Sequence, residues 1–260
     1  MLSDPKSDTI YSLSNMSLSA SKKILKQRST KGSMNSEDAN NQHEPSLAVT
    51  VTDIDGNQYT SITIGKQIWT IEDLRTTKFN DGEAITHASE VSVWAGLNSP
   101  GYCFYNNDAS TGIIYGALYN WFAVSSGKLA PKGWHVPTDS EWMQLREFLI
   151  LNGYNWDGTK DGNKIAKAMA STSKWAADDN DGTVGNDLSI NNRSGFTALP
   201  SGCRNDLGAY FDLHFYNYWW SATEANTFNA YRYYLGFNHS DLSSSSYFKQ
   251  YGFSIRLVRD

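Results

Sequence analysis

The sequence predicts a single mixed α+β domain, and three observations predict it. Apolar and polar residues alternate around two tight-turn signals at the start of the folded part. One strongly amphipathic helix, complete with a capping signal, lies in the middle. From Phe196 to Asp260 the chain breaks into short strand-like runs separated by turns. Together they imply two main helices packed on small twisted antiparallel sheets, with long loops.

Residues 1–47 are rich in Ser, Asn and Lys and contain one aromatic, Tyr11, whereas all nine Trp lie from Trp69 onward. A segment with so little apolar surface cannot offset its ordering entropy, so 1–47 reads as a flexible tail or tether and 48–260 as the folded domain. Ile24 and Leu25 offer one weak apolar face for a short helix over residues 19–27. "AVTVTDIDGNQYTSITIGKQIWTIEDL" then alternates around Asp55-Gly56 and Gly65-Lys66 as hairpins do. In "IIYGALYNWFAV", Ile114, Leu118, Trp121 and Phe122 recur at helical spacing, with Gly127 as a stop. "PTDSEWMQLREFLI" is the clearest element. Thr138 and Glu141 make the capping box, and Trp142, Leu145, Phe148 and Leu149 form one face. "GNKIAKAMAS" reads as a shorter helix, and "DDNDGTVGNDLSINNRSG" as loop.

Charge and composition narrow the function. The net charge is −5 with no basic patch, which argues against nucleic acid as a partner. No apolar run reaches the roughly 18 residues of a membrane helix, so no membrane insertion is expected. The first residues lack a basic region followed by an apolar stretch. Cys103 and Cys203 are too few for a disulfide framework and read as two buried thiols, with a single disulfide or a catalytic thiol as alternatives.

Seven strings carry a family resemblance: "DIDGNQYTSITIGKQIWTIEDL", "GYCFYNNDAS", "YGALYNWFAV", "GWHVPTDSEW", "SGFTALPSGCRN", "YWWSATE" and "GFSIRLVRD". In this order and spacing the chain resembles the Fibrobacter succinogenes major paralogous domain, from about Thr52 to Asp260. That resemblance implies a C-type-lectin-like fold of the formylglycine-generating-enzyme branch. "GWHVPTDSEW" is similar to that branch's Arg-Leu-Pro-Thr-Glu-Ala-Glu-Trp helix start, and "GFSIRLVRD" to its closing Gly-Phe-Arg strand. Trp134, Trp142, Trp219, Trp220 and Arg256 are expected to be scaffold, the Arg256 head paired internally. Many family members carry cysteines where this chain has Ala130 and Leu257. The resemblance implies that those two pair in exported members, so their joint replacement points to assembly in a reducing compartment. With the missing leader, that fits a phage virion component, assembled in cytoplasm and extracellular afterwards. The alternative is a bacterial surface protein whose signal has been removed.

Enzyme chemistry has little support. Oxidases of the wider fold use a nearby pair of reactive cysteines, whereas Cys203 stands alone late in the chain. The five His show no HxxxH spacing or carboxylate cluster typical of zinc. No cofactor is expected. Calcium stays open only as a loop site using Asp178, Asp179, Asp181 or Asp187, because Ala177 and Leu188 spoil the EF-hand template.

A binding face is the stronger expectation. "YRYYLGFNHSDLSSSSYF" combines Tyr with Ser, Asn and His, the mix of a paratope. Such a composition also resembles proteins diversified by retroelement mutagenesis. Period-2 alternation sets Tyr231, Tyr233, Leu235 and Phe237 on one side and Arg232, Tyr234 and Gly236 on the other. The first set is expected to be partly exposed, continued by Asn238, His239, Asp241, Ser245, Tyr247 and Phe248. Tyr210, Phe211, His214, Phe215 and Tyr216 should flank it. The expected partner is a cell-surface protein or glycan bound without catalysis, with the tail anchoring a larger assembly. A structural decoration module without a specific ligand is the alternative, and a formylglycine-generating-type oxidase a weaker one. Deleting residues 1–47 should leave the thermal unfolding midpoint nearly unchanged, and a calorimetric scan of the two forms checks it.

Overall fold

The computed structural model describes residues 50–260. The expected tail and the helix at residues 19–27 lie outside the described residues. Along the chain, β1 (Thr50–Thr52), β2 (Gln58–Ile64) and β3 (Gln67–Thr70) form a meander across the two turn signals. Asp53 shapes the first turn, its Oδ1 accepting from the backbone N–H groups of Asp55 at 3.0 Å and Asn57 at 2.9 Å. Then come β4 (Thr86–His87), α1 (Val91–Ala95), β5 (Gly101–Cys103), α2 (Ala109–Tyr115), β6 (Leu118–Tyr119) and α3 (Trp121–Ser125). β7 (Trp134–His135), α4 (Asp139–Leu151) and α5 (Ala166–Met169) follow. The last part holds β8 (Ser201–Arg204), β9 (Tyr210–Leu213), β10 (Tyr216–Glu224), β11 (Asn229–Gly236), β12 (Ser243–Phe248) and β13 (Val258–Arg259).

The strands make three sheets, ordered β1-β2-β3-β13-β7, β12-β11-β10-β8-β9 and β4-β5-β6. The closing strand β13 is inserted between β3 and β7, so the two ends of the domain share one sheet. The architecture is mixed α and β, mostly sheet with few helices. Among the described residues α4 is the one helix longer than seven residues. The helix expected through Ile114–Phe122 is broken in two by β6. At Gly116, φ is +79°, and a Cβ there would lie 2.8 Å from Asp73 Cβ and 2.9 Å from Leu74 O. The chain turns away to let Ala117 N–H bond Leu74 O at 2.9 Å. The helical spacing of the apolar residues is satisfied by separate elements that meet in one core.

Two large clusters and a small one around Trp94 fill the interior, and β10 is the common wall of the two large ones. Successive strand residues face opposite sides, so Trp219 enters one cluster and Trp220 the other, each fully buried. The first collects Tyr59, Tyr119, Trp220 and Phe253. The second is built on α4, whose Trp142, Leu145 and Leu149 are buried. Trp142 lies 4.8 Å from Trp69 and 5.6 Å from Trp219 between ring centroids. The expected capping box is present: Thr138 Oγ1 accepts from Glu141 N, and the Glu141 carboxylate from Thr138 N. Glu141 also meets His135 Nε2 at 2.7 Å, while His135 Nδ1 meets Asp260 Oδ1 at 2.6 Å.

A buried ion pair joins the sheets. Arg256 and Asp73 side chains are 1% and 3% exposed, with Nε 2.7 Å from Oδ1. Arg256 Nη1 donates to Phe196 O at 2.7 Å and Thr70 O at 3.0 Å, and its guanidinium lies 4.4 Å from the Phe196 ring. Asp73 accepts from Trp219 Nε1 at 2.9 Å and Asn217 Nδ2 at 3.0 Å. Arg256 thus has the internal role expected of it.

Removing one partner of such a pair strands a buried charge. Asp73→Ala should cost roughly 3–5 kcal/mol of unfolding free energy in chemical denaturation. Burial lowers the pKa of His135, but the hydrogen bonds of Asp260 and Glu141 outweigh it and raise the pKa above 6.5. A raised folded-state pKa stabilises fully below the unfolded value and is lost as pH rises through the folded one. The stability gap between wild type and His135→Gln should therefore be widest near pH 6 and narrow toward alkaline pH, as denaturation midpoints across pH would show.

Candidate functional site

The second sheet has one face pressed on α4 and one face that is only partly covered. Pairing of Tyr218 with Tyr234, Trp220 with Arg232 and Arg232 with Ser245 puts these residues on the same side. Tyr216, Tyr218, Arg232, Tyr234, Ser245 and Tyr247 therefore share the partly covered face. At its inner end Trp220 and Phe253 seal it into the first core. At the outer end Tyr216 and Tyr234 are half-buried and Asn238 is exposed beside Tyr216, while the half-buried Tyr247 lies opposite Ala230 at the inner end.

Arg232 is the centre of this face. Its guanidinium lies 3.8 Å from the ring centroid of Tyr247, 4.5 Å from Tyr218, 5.0 Å from Phe253 and 5.3 Å from Tyr234. Nε donates to Ser245 Oγ at 3.2 Å. Burial pushes the Arg232 pKa down, yet a guanidinium keeps its proton in proteins. Tyr216 and Tyr218 stack at 5.6 Å with planes 6° apart. Tyr218 hydroxyl donates to Asp212 Oδ2 at 2.8 Å, and burial together with that carboxylate raises its pKa strongly. Tyr216 hydroxyl donates to Asn238 Oδ1 at 3.1 Å, and the His239 ring sits 5.9 Å from Tyr216 and 6.2 Å from Tyr234. Asp212 and His214 hold φ of 65° and 71°, so the β9–β10 connection is a tightly folded one. Chemically the face offers broad ring surfaces, one cation and a rim of small polar groups.

The residues singled out in the sequence fall in different places. Tyr216, Asn238, His239, Ser245 and Tyr247 are brought together on this face, with Asp241 3.5 Å from His239 Nδ1. Tyr233 must be corrected: it is 1% exposed, stacks on Trp142 at 5.1 Å and donates its hydroxyl to Asp139 Oδ1 at 2.6 Å. Leu235 is likewise buried. The expected alternation holds and Tyr231 of this set is exposed, but Tyr233 and Leu235 are covered because α4 packs on that side of the sheet. Tyr231 and Phe248 are exposed, but alternation sets them on the α4 side of the sheet. Phe237 is half-buried against Phe215 at 5.2 Å and Tyr216 at 6.3 Å, at the rim. Tyr210 belongs elsewhere, its hydroxyl on Asn107 and its ring 4.8 Å from the Arg204 guanidinium. Phe211 and His214 are exposed, with His214 Nδ1 3.1 Å from Lys174 O. Asp212, Tyr218, Arg232 and Tyr234 also line this face and are not among the residues expected there. The signal for Arg232 and Tyr234 was their position opposite the more apolar set.

Two other sequence features resolve. In the acidic loop, Lys167 Nζ donates to the backbone carbonyls of Thr183, Asn186 and Asp187. The carbonyls are met by the chain's own ammonium, and Asp178 and Asp187 cap their own turns. Among the described residues no group of three or more His, Cys, Asp or Glu could hold a metal ion. Cys103 and Cys203 are free and buried; burial raises both thiols, Cys203 to about 12. Among the described residues no helix is long and apolar enough to cross a membrane.

The sheet order and this site describe a domain that presents side chains from its last strands. A family model for the Fibrobacter succinogenes major domain matches residues 62–259. The chain belongs to that family. No curated protein and no solved structure matches the chain. If Tyr233 is core and Tyr216 is rim, Tyr233→Ser should destabilise the fold by about 3–5 kcal/mol. Tyr216→Ser should keep its melting temperature near wild type, as thermal melts of the two variants would show.

Proposed function

We propose that this is a non-enzymatic ligand-binding domain of C-type-lectin-like architecture, an adhesin or receptor-binding protein of a phage or bacterial surface. The observation that carries this reading is the set of aromatic rings around Arg232 on the partly covered face of the second sheet. Rigid Tyr rings give contact area with only two χ angles to fix, and Ser, Asn and His beside them adapt their hydrogen bonds. The partner is a cell-surface glycan or protein, and residues 1–47 tether the domain to a virion or surface assembly. Two buried thiols with raised pKa values favour this reading over a cysteine-based oxidase.

Glycan-array and whole-cell binding assays test the proposal. Wild type should bind in at least one of them. Tyr216→Ser combined with Tyr234→Ser should reduce that binding at least tenfold, roughly 1.4 kcal/mol, while keeping the fold. A wild-type protein blank in both assays would leave the decoration-module reading in place.

A further inference from the structure

Every other enclosed cation singled out here is answered by oxygen atoms of the protein. Arg256 has Asp73 and two carbonyls. Arg204 has the carbonyls of Ala88, Ser89 and Gly208. Lys167 has three carbonyls, and Lys249 has Glu224 with Thr227 O. Arg232 has one neutral hydroxyl, Ser245 Oγ, and aromatic rings. Among the described residues no carboxylate pairs with it. Its two terminal nitrogens are bonded to no protein atom there, and they are not among the sealed polar atoms left without a partner, so they reach solvent.

We infer that the face around Arg232 recognises a carboxylate-bearing saccharide, with the guanidinium fork on the carboxylate. This rests on the binding role proposed above. The fork matches a planar carboxylate with two parallel N–H···O bonds, and low local polarity strengthens them. Ring faces at Tyr216 and Tyr234 suit the C–H faces of a sugar. Asn238 and His239 lie within the same rim to meet its hydroxyls. A saccharide fits better than an acidic peptide because the face sets several aromatic rings, suited to sugar C–H groups, around a single cation.

The test pairs each acid with its own methyl ester, which cancels the charge without altering the protein. Sialyllactose and trigalacturonate, with their methyl esters, are titrated calorimetrically into the full chain at pH 7. At least one acid should bind tenfold or more tighter than its ester. Arg232→Gln should erase that difference, whereas Tyr216→Ser should weaken acid and ester alike. Equal affinity for acid and ester would overturn the ligand class, and loss of both in Tyr216→Ser would still uphold the face. If no saccharide binds but cells do, competition by poly-glutamate in place of trigalacturonate would assign a protein partner and refute the saccharide. If cell binding also survives Tyr216→Ser with Tyr234→Ser, the face itself is refuted along with it.

Discussion

The Asp73–Arg256 pair is the constraint on which the rest depends. Arg256 comes from the segment leading into β13, and Asp73 from the segment leaving β3, so one contact ties the start of the domain to its end. A pair this deep is costly to desolvate, and only full hydrogen bonding repays it. Here it is supplied from three directions: two carbonyls to the guanidinium, and Trp219 and Asn217 to the carboxylate. Trp219 and Asn217 lie on β10, so the same charge pair fixes which side of β10 faces inward.

That orientation decides what the second sheet can present. Trp219 on one side closes over α4, and Trp220 on the other donates its indole N–H to Tyr119 O at 2.9 Å. The first side is covered by Trp142 around Tyr233 and Leu235 and is open at Tyr231 and Phe248. The second side is sealed only at one end. At the open end the rings of Tyr216 and Tyr234 stand in place of aliphatic side chains, with the Arg232 guanidinium between Tyr234 and the sealed end.

A second arginine performs the same joining work for the smallest sheet. Arg204 on β8 is fully buried and binds the carbonyls of Ala88 and Ser89, just after β4, with its guanidinium 4.8 Å from Trp94. Its charge is spread over three carbonyls rather than met by a carboxylate, which suits a joint between backbones. Arg232 differs from both: among the described residues it meets one hydroxyl and four aromatic rings, and no carboxylate.

Local signals were legible in the sequence where the physics is local. The capping box at Thr138 and Glu141, the apolar face of α4 and the turn at Asp55-Gly56 depend on residues a few positions apart, and each stands in the structure. The mixed class and the family followed from the same strings. What only tertiary structure decided was long-range. Whether Ile114 through Phe122 stays one helix depended on the approach of Asp73 and Leu74 to Gly116. Which side of β11 is buried depended on where α4 lies, since period-2 alternation sorts residues into two sets but gives no sign of which set meets a partner. Tyr233 and Tyr234 are neighbours of the same residue type, and their opposite fates follow from a helix about ninety residues away in the chain.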